Sequence, residues 1–307
     1  MLKKSLITLF CSIFFISCFP FQQKEEQNSI SAGMKEIKKG AAWYNRGCYN
    51  RSLNSFIKAN EFFSGEDSSN GVAMSLNNIG NSYRAIGNLK KAEAFLKEAY
   101  QIYSEIKNYE GMLQALSNTA ALLIENGKQA EALKTIKQAD KISKDNNIIF
   151  TPLLNIKAAV MIKKNKHNKA EQLLNIALQK AKKEASEYAA ANCLLAEIMI
   201  KKKEYDSALK YLDTALTVDK KNGFYKGIAE DLEKIAQVKS ATGEKREAVS
   251  YLKRSGKIYA LIGKEKKCLE IISSIKNLAK ETDTDITITK HFINKWLKKE
   301  LFENSCE

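Results

Sequence analysis

The amino-acid sequence predicts an all-α protein, a solenoid of about six helical hairpins followed by C-terminal capping helices. Three observations carry that expectation. The stretch Leu76–Tyr100, LNNIGNSYRAIGNLKKAEAFLKEAY, places apolar residues at helical spacing on both sides of Gly87-Asn88, a turn signal. The stretch is echoed along the chain at intervals of 38–40 residues. Finally, two prolines, 44% apolar residues and 28% charged residues suit a helical chain with enough core to fold.

At the N-terminus, Lys3 and Lys4 precede a mainly apolar run from Leu6 to Ser17. The run is shorter than the ~20 residues that a stable membrane-spanning helix needs. It closes on Phe15-Ile16-Ser17-Cys18, which resembles the lipobox of bacterial lipoproteins, where a small residue precedes a cysteine that is acylated and becomes the new N-terminus. The resemblance implies that residues 1–17 are a signal peptide and that Cys18 is the lipid-attachment site, anchoring the protein to the cell envelope. Phe19, not Asp, follows the cysteine, which in that family favours an outer membrane where the cell has one. Phe15 departs from the usual Leu. Residues 18–33 are polar, carry Pro20 and lack helical periodicity, so a tether is expected there.

The repeats are expected over residues 34–262. Gly40, Trp43, Gly47, Tyr49, Ser52, Phe56 and Ala59 stand 40 positions before Gly80, Tyr83, Gly87, Leu89, Ala92, Leu96 and Ala99. Ala120, Leu123, Gly127, Gln129, Ala132, Ile136 and Ala139 continue the series. Later copies begin at Ala158, Ala196 and Ala236, with Lys239 where an apolar residue is expected. A small residue at a helix crossing lets two axes approach, so Gly80 and Ala92 are expected to face one another. Thr151-Pro152 supplies a cap residue and a first-turn proline for the fourth unit. One hairpin cannot bury its apolar stripe alone, but stacking buries it between neighbours.

This pattern resembles the tetratricopeptide repeat, with its small residue and aromatic on a first helix, then Ala, Leu or an aromatic, and Ala on a second. The closing Pro of that family is absent and the spacing is longer than its usual ~34 residues. The match is therefore to the longer-repeat branch that includes kinesin light chains. The resemblance implies a right-handed superhelix whose first helices line a concave groove. Residues 263–307 are expected to cap it. Cys268–Ala279 reads as a degenerate seventh first helix, and Glu281–Thr289 as a break. In His291–Phe302, Phe292, Trp296, Leu297, Leu301 and Phe302 form an apolar stripe.

The net charge of +15 does not mark a nucleic-acid binder. Only Arg46, Arg51, Arg84, Arg246 and Arg254 carry guanidinium groups, and the lysines alternate with Glu along every segment. No nucleic acid is expected as a partner. Cys48, Cys193, Cys268 and Cys306 show no CxxC spacing, so neither a disulfide framework nor a zinc site is expected. Most are expected as small buried residues, with Cys306 in the tail either paired or free. His167, expected in a turn, and His291 stand far apart, and no GxSxG, HExxH, P-loop or GxGxxG occurs. No enzyme activity, metal or cofactor is expected.

The candidate site comes from helix geometry. With Ile79, Gly80 and Tyr83 facing their own second helix, Asn77, Asn81 and Arg84 share the neighbouring stripe. The resemblance turns that stripe into the groove, where asparagines in the longer-repeat branch hydrogen-bond an extended peptide. Asn77, Asn78, Asn81 and Arg84, with Asn118 and Asn155 in the next two units, are the expected partner-binding residues. An amide suits the task because it both donates and accepts. Later units offer Glu197, Lys201, Glu233, Lys234 and Gln237, so the groove passes from amide-lined to charged. The expected function is a lipid-anchored scaffold holding a protein or peptide partner, in envelope assembly or secretion. The alternative is a cytosolic helical-repeat regulator with an uncleaved N-terminus, binding a signalling protein or RNA.

Overall fold

The computed structural model describes residues 19–298 and Cys306, with side chains from Ala32 onward. Among these residues there are fourteen α-helices and no strand. They pair as α1 (Phe19–Asn45) with α2 (Tyr49–Gly65), α3 (Ser69–Ile86) with α4 (Leu89–Glu105), and α5 (Tyr109–Glu125) with α6 (Gln129–Asp145). The second half pairs α7 (Thr151–Lys163) with α8 (His167–Lys180), α9 (Ser186–Lys202) with α10 (Tyr205–Asn222), and α11 (Tyr225–Ala241) with α12 (Lys245–Leu261). Helices α13 (Glu265–Thr282) and α14 (Thr287–Leu297) complete the chain. The expected signal peptide and Cys18 lie outside the described residues. So do Leu301 and Phe302.

The repeat register is visible in burial and backbone. Each hairpin turn is made by a residue in the left-handed region at the same register position: Gly47, Gly87, Gly127, Asn165, Lys203 and Gly243. On the second helices, Ala92, Ala132, Ala170, Ala208 and Ala248 are buried, with Ser52 in the same place in the first. Ala99, Ala139, Ala177, Ala215 and Ser255 repeat this two turns on. As expected, Gly80 sits over α4. A Cβ there would stand 2.8 Å from Leu96 Cγ and 3.3 Å from the carbonyl oxygen of Ala92. Lys239, at the departing position, reaches Glu244 at 2.6 Å and Glu247 at 3.0 Å.

Two expectations about helix limits are revised. The segment 18–33 enters α1 at Phe19 and does not form a non-helical tether. Its Gln, Glu and Lys residues favour helix, and Pro20 falls in the first turn, where its missing N–H is no loss. His167 opens α8 and does not sit in the turn.

Odd-numbered helices α3, α5, α7, α9 and α11 touch one another in sequence as well as their hairpin partners. They form the inner wall, and the even helices of the hairpins form the outer layer. Because the inner layer is the tighter one, the stack curves, and the first hairpin meets the end of the sixth. Asn45 Nδ2 donates to the carbonyl of Asn222 at 3.2 Å, and Lys264 Nζ to that of Ala85 at 2.8 Å. Lys264 Nζ also lies 5.2 Å from the Tyr49 ring centroid, and Gly47 is pressed against Ile262.

At this meeting point Cys48 and Cys306 form a disulfide across 258 residues of sequence. Of the two states left open for Cys306, paired or free, it takes the paired one, and Cys48 is its partner, not a free buried residue: closure of the superhelix brings the first turn beside the tail. Cys268 is buried, as expected, while Cys193 is half-buried. Helix α14 caps the array chiefly against α12. Its core residue is Ile293, flanked by Trp296 and Leu297, so the anchoring face is centred one residue away from Phe292.

Candidate functional site: the inner wall of the superhelix

The inner wall has two parts. In the first, α3 and α5 carry the asparagine stripe. Asn77 is buried and accepts from Asn118 Nδ2 at 2.9 Å, while Asn118 Oδ1 accepts from Gln114 Nε2 at 3.4 Å. The two amides thus tie consecutive first helices together. Arg84 Nη1 reaches Glu125 Oε1 on α5 at 2.7 Å. Burial works against the Arg84 charge, but Tyr44 and Glu125 outweigh it and hold the guanidinium pKa above its ordinary value. Asn78 is half-buried beside them, and Asn81 is half-buried with Oδ1 unpartnered.

Asn155 belongs to the other part. Helices α7, α9 and α11 enclose a cavity of about 550 Å³, reached also by residues of α10, α12 and α13. Asn155 Nδ2 donates to the carbonyl of Glu187 at 2.9 Å, leaving Oδ1 without a partner. Ile156, Ala159, Ala190, Leu194 and Phe224 give the cavity apolar walls. Its charged lining is Glu197, Asp219, Glu230, Asp231 and Glu233 against Lys234 and Lys267. Of the charged and polar residues expected along the later groove, Glu197, Glu233, Lys234 and Gln237 are in the wall, while Lys201 is exposed outside it.

Both lysines are engaged. Lys234 pairs with Glu197 at 2.9 Å, and Lys267 with Glu233 at 3.1 Å and Glu270 at 3.3 Å. Tyr259 Oη donates to Glu233 at 3.0 Å. Asp219 and Asp231 have no such support. They are 4% and 1% exposed, and Asp219 Oδ1 and Asp231 Oδ2 have no hydrogen-bond partner. Burial, with Glu230 adding to it, pushes the Asp219 carboxyl up to about 7. Burial and then the neighbouring Asp219 push Asp231 up to about 8, partly offset by a hydrogen bond with the Cys193 thiol. Among the described residues no cluster of His, Cys, Asp and Glu is placed to hold a metal, and no helix is long and apolar enough to cross a membrane.

Sequence reasoning passed over these two carboxylates as members of lysine-rich helix faces. A register signal was available. Ser75, Ala115, Leu153 and Ala191, all buried, hold the place in earlier units that Asp231 holds in α11.

Fold and groove together define an α-solenoid scaffold built from helical hairpins. The chain carries tetratricopeptide repeats: the model of that repeat matches residues 71–145 and 187–260, that is, the second and third hairpins and then the fifth and sixth. No curated protein sequence matches the chain. Among solved structures it is similar to the Rap conjugation gene regulator of the plasmid pLS20 in complex with the Phr* peptide. That match has 14% identity and a TM-score of 0.57, covering 95% of this chain and 83% of the other. It is also similar to a Rap protein complexed with Competence and Sporulation Factor, at 12% identity and a TM-score of 0.55 over 84% of this chain and 78% of that one. The APC/C hetero-tetramer Cut9-Hcn1 matches at 13% identity and a TM-score of 0.50, over 92% and 60%. At these identities the likeness is one of fold.

Proposed function

We propose that the protein is an exported, lipid-anchored scaffold whose concave groove holds an extended segment of a protein or peptide partner. The tetratricopeptide array makes protein–protein interaction the coarse function. The observation that carries the finer reading is the cavity between α7, α9 and α11, which is concave, apolar-walled and lined with polar groups that converge on it. One structure of similar fold, the pLS20 Rap regulator, is described in complex with a peptide, Phr*. Asn81, Arg84 and their neighbours extend the same wall towards the first hairpin.

The Cys48–Cys306 disulfide supports export, because such bonds persist in oxidising compartments and are rare in the cytosol. It joins the Ser17-Cys18 cleavage pattern in favouring the cell envelope, facing the periplasm where there is an outer membrane. Envelope assembly or secretion is the process class that fits such an anchor.

Metabolic labelling with a tagged fatty acid tests the anchor. Label on the wild type that disappears with Cys18→Ala is expected, and label kept by the variant contradicts it. For the groove, a photoreactive residue in place of Gln237, which lies in the cavity wall and is exposed, is expected to crosslink a partner in intact cells. The same residue in place of Lys210 on the outer layer is expected not to. Equal crosslinking from both positions contradicts a groove site.

A further inference from the structure

Two junctions between hairpins pack an aromatic ring over a glycine, and a third keeps the glycine without that ring. Phe63 at the end of α2 lies over Gly71 of α3, and Tyr103 at the end of α4 lies over Gly111 of α5. Both rings are buried. In each case the ring stands eight residues before its glycine. The same pair recurs between α10 and α11, where Gly227 is the glycine and the residue eight positions earlier is Asp219. A short carboxylate thus occupies the place of an aromatic ring, and its Oδ2 rests against Gly227. The Phe224 ring stands over Gly227 beside it, and Asp219, Phe224 and Gly227 all line the cavity.

What faces that space is chemically one-sided. Three oxygens without partners line the cavity: Asn155 Oδ1, Asp219 Oδ1 and Asp231 Oδ2, on side chains that are each more than nine-tenths buried. All three are acceptors. A buried acceptor left unpaired is costly, so the site is complete only when a donor enters. Five acids against two lysines, both already paired, make that donor a cation. This stands out in a chain of net charge +15.

We propose that this cavity takes a basic side chain, Lys or Arg, of the segment held in the groove, with Asp219 and Asp231 as its carboxylate partners and Asn155 as a third acceptor. The inference rests on the peptide-groove reading above. The apolar lining from Ile156, Leu194 and Phe224 accommodates the aliphatic stem and an adjoining apolar residue.

Binding is then coupled to proton release. The facing groups are Cys193 and Glu197 on α9, Asp219 on α10, Glu230, Glu233 and Lys234 on α11, Tyr259 on α12 and Lys267 on α13. Of these, Asp219 and Asp231 are the carboxyls raised to about 7 and about 8. Below those values a bound cation must displace their protons. Affinity therefore rises with pH, by up to about tenfold per unit for each proton released, and levels off above about pH 8.

The test is selection of random hexapeptides displayed on phage against the full chain, with its disulfide intact, at pH 8. The expected result is enrichment of Lys or Arg beside an apolar residue. A selected peptide is expected to bind the Asp219→Asn/Asp231→Asn chain at least tenfold more weakly and to lose its pH dependence there. Asp219→Tyr, which places there a ring like those of Phe63 and Tyr103, is expected to abolish binding, and it serves as the second variant should the double variant fold poorly. Acetylating the peptide N-terminus leaves affinity unchanged; loss on acetylation assigns the cavity to a terminal ammonium and overturns the side-chain assignment. Selected peptides with no basic enrichment overturn the proposal while the peptide groove stands. Basic peptides that bind native chain and variants alike overturn it too. Recovery of no peptide at all overturns both readings.

Discussion

The second and fifth hairpins share a register and use it in opposite ways. Around the second, Phe63 fills the space above Gly71, and the groove-side amide of Asn77 bonds Asn118 on the next first helix. Around the fifth, a carboxylate, Asp219, stands over Gly227 beside the Phe224 ring, and Asp231 lies buried with one oxygen unpartnered. Gly47, Gly87, Gly127 and Gly243 make four of the left-handed hairpin turns, while Asn165 and Lys203 make those of the fourth and fifth hairpins. The difference lies in what is left unsatisfied around the fifth hairpin: carboxylates in the wall of a cavity, as unsatisfied groups at functional sites commonly are.

The Cys48–Cys306 bond ties the well-packed end to the far end of the array, and removing it is the largest expected perturbation. Cys306→Ser is expected to lower unfolding stability by about 2–4 kcal/mol, measured by guanidinium melts against the oxidised wild type. Identical midpoints would show that the ends stay together without the bond.

A smaller effect separates bonding from open amides within the first half. Asn77→Ala removes a buried inter-repeat hydrogen bond and is expected to cost about 1 kcal/mol. Asn81→Ala removes an oxygen with no partner and is expected to change stability by less than about 0.5 kcal/mol. The sequence alone placed both residues on one interchangeable stripe. Reversed magnitudes in urea melts would erase that distinction.

The smallest change sharpens the contrast in turns. Lys203 adopts φ 62°, a region that costs a side chain about 1–2 kcal/mol where glycine is nearly indifferent. Glycine's extra freedom in the unfolded chain offsets part of this, so Lys203→Gly is expected to add about 0.5–1 kcal/mol. The same replacement of Gly127 by Lys is expected to subtract a similar amount.

The array was legible in the sequence because its signals are local and repeated. Gly80, Ala92, Leu96 and Ala99 each recur at fixed spacing, and burial follows that register through six hairpins. The disulfide was not legible, since it depends on how far the whole stack curves and no interval between Cys48 and Cys306 encodes that. The asparagine stripe was visible as a stripe. Whether an amide faces a ligand or a neighbouring amide depends on the distance between first helices, which spacing along one helix does not contain. Asp219 and Asp231 sit among lysines and glutamates in Asp219-Lys220-Lys221 and Glu230-Asp231-Leu232-Glu233-Lys234, so composition hid them. Only alignment to the register of Phe63 and Ser75 marks them as charges in core positions.

The central claim is that these two carboxyls are held at a cost to the fold. Its sign against pH is definite. Their unfolded pKa is near the ordinary 3.8, and their folded values are about 7 and about 8. Stability is therefore fully present below about pH 4 and is lost progressively until the folded carboxyls themselves ionise. The decisive measurement is the unfolding free energy of wild type and Asp219→Asn/Asp231→Asn at pH 5 and pH 8. The double variant is expected to gain on the wild type by several kcal/mol, on the order of 6, more at pH 8 than at pH 5. A variant that is less stable at both pH values, by the same amount, would contradict the account.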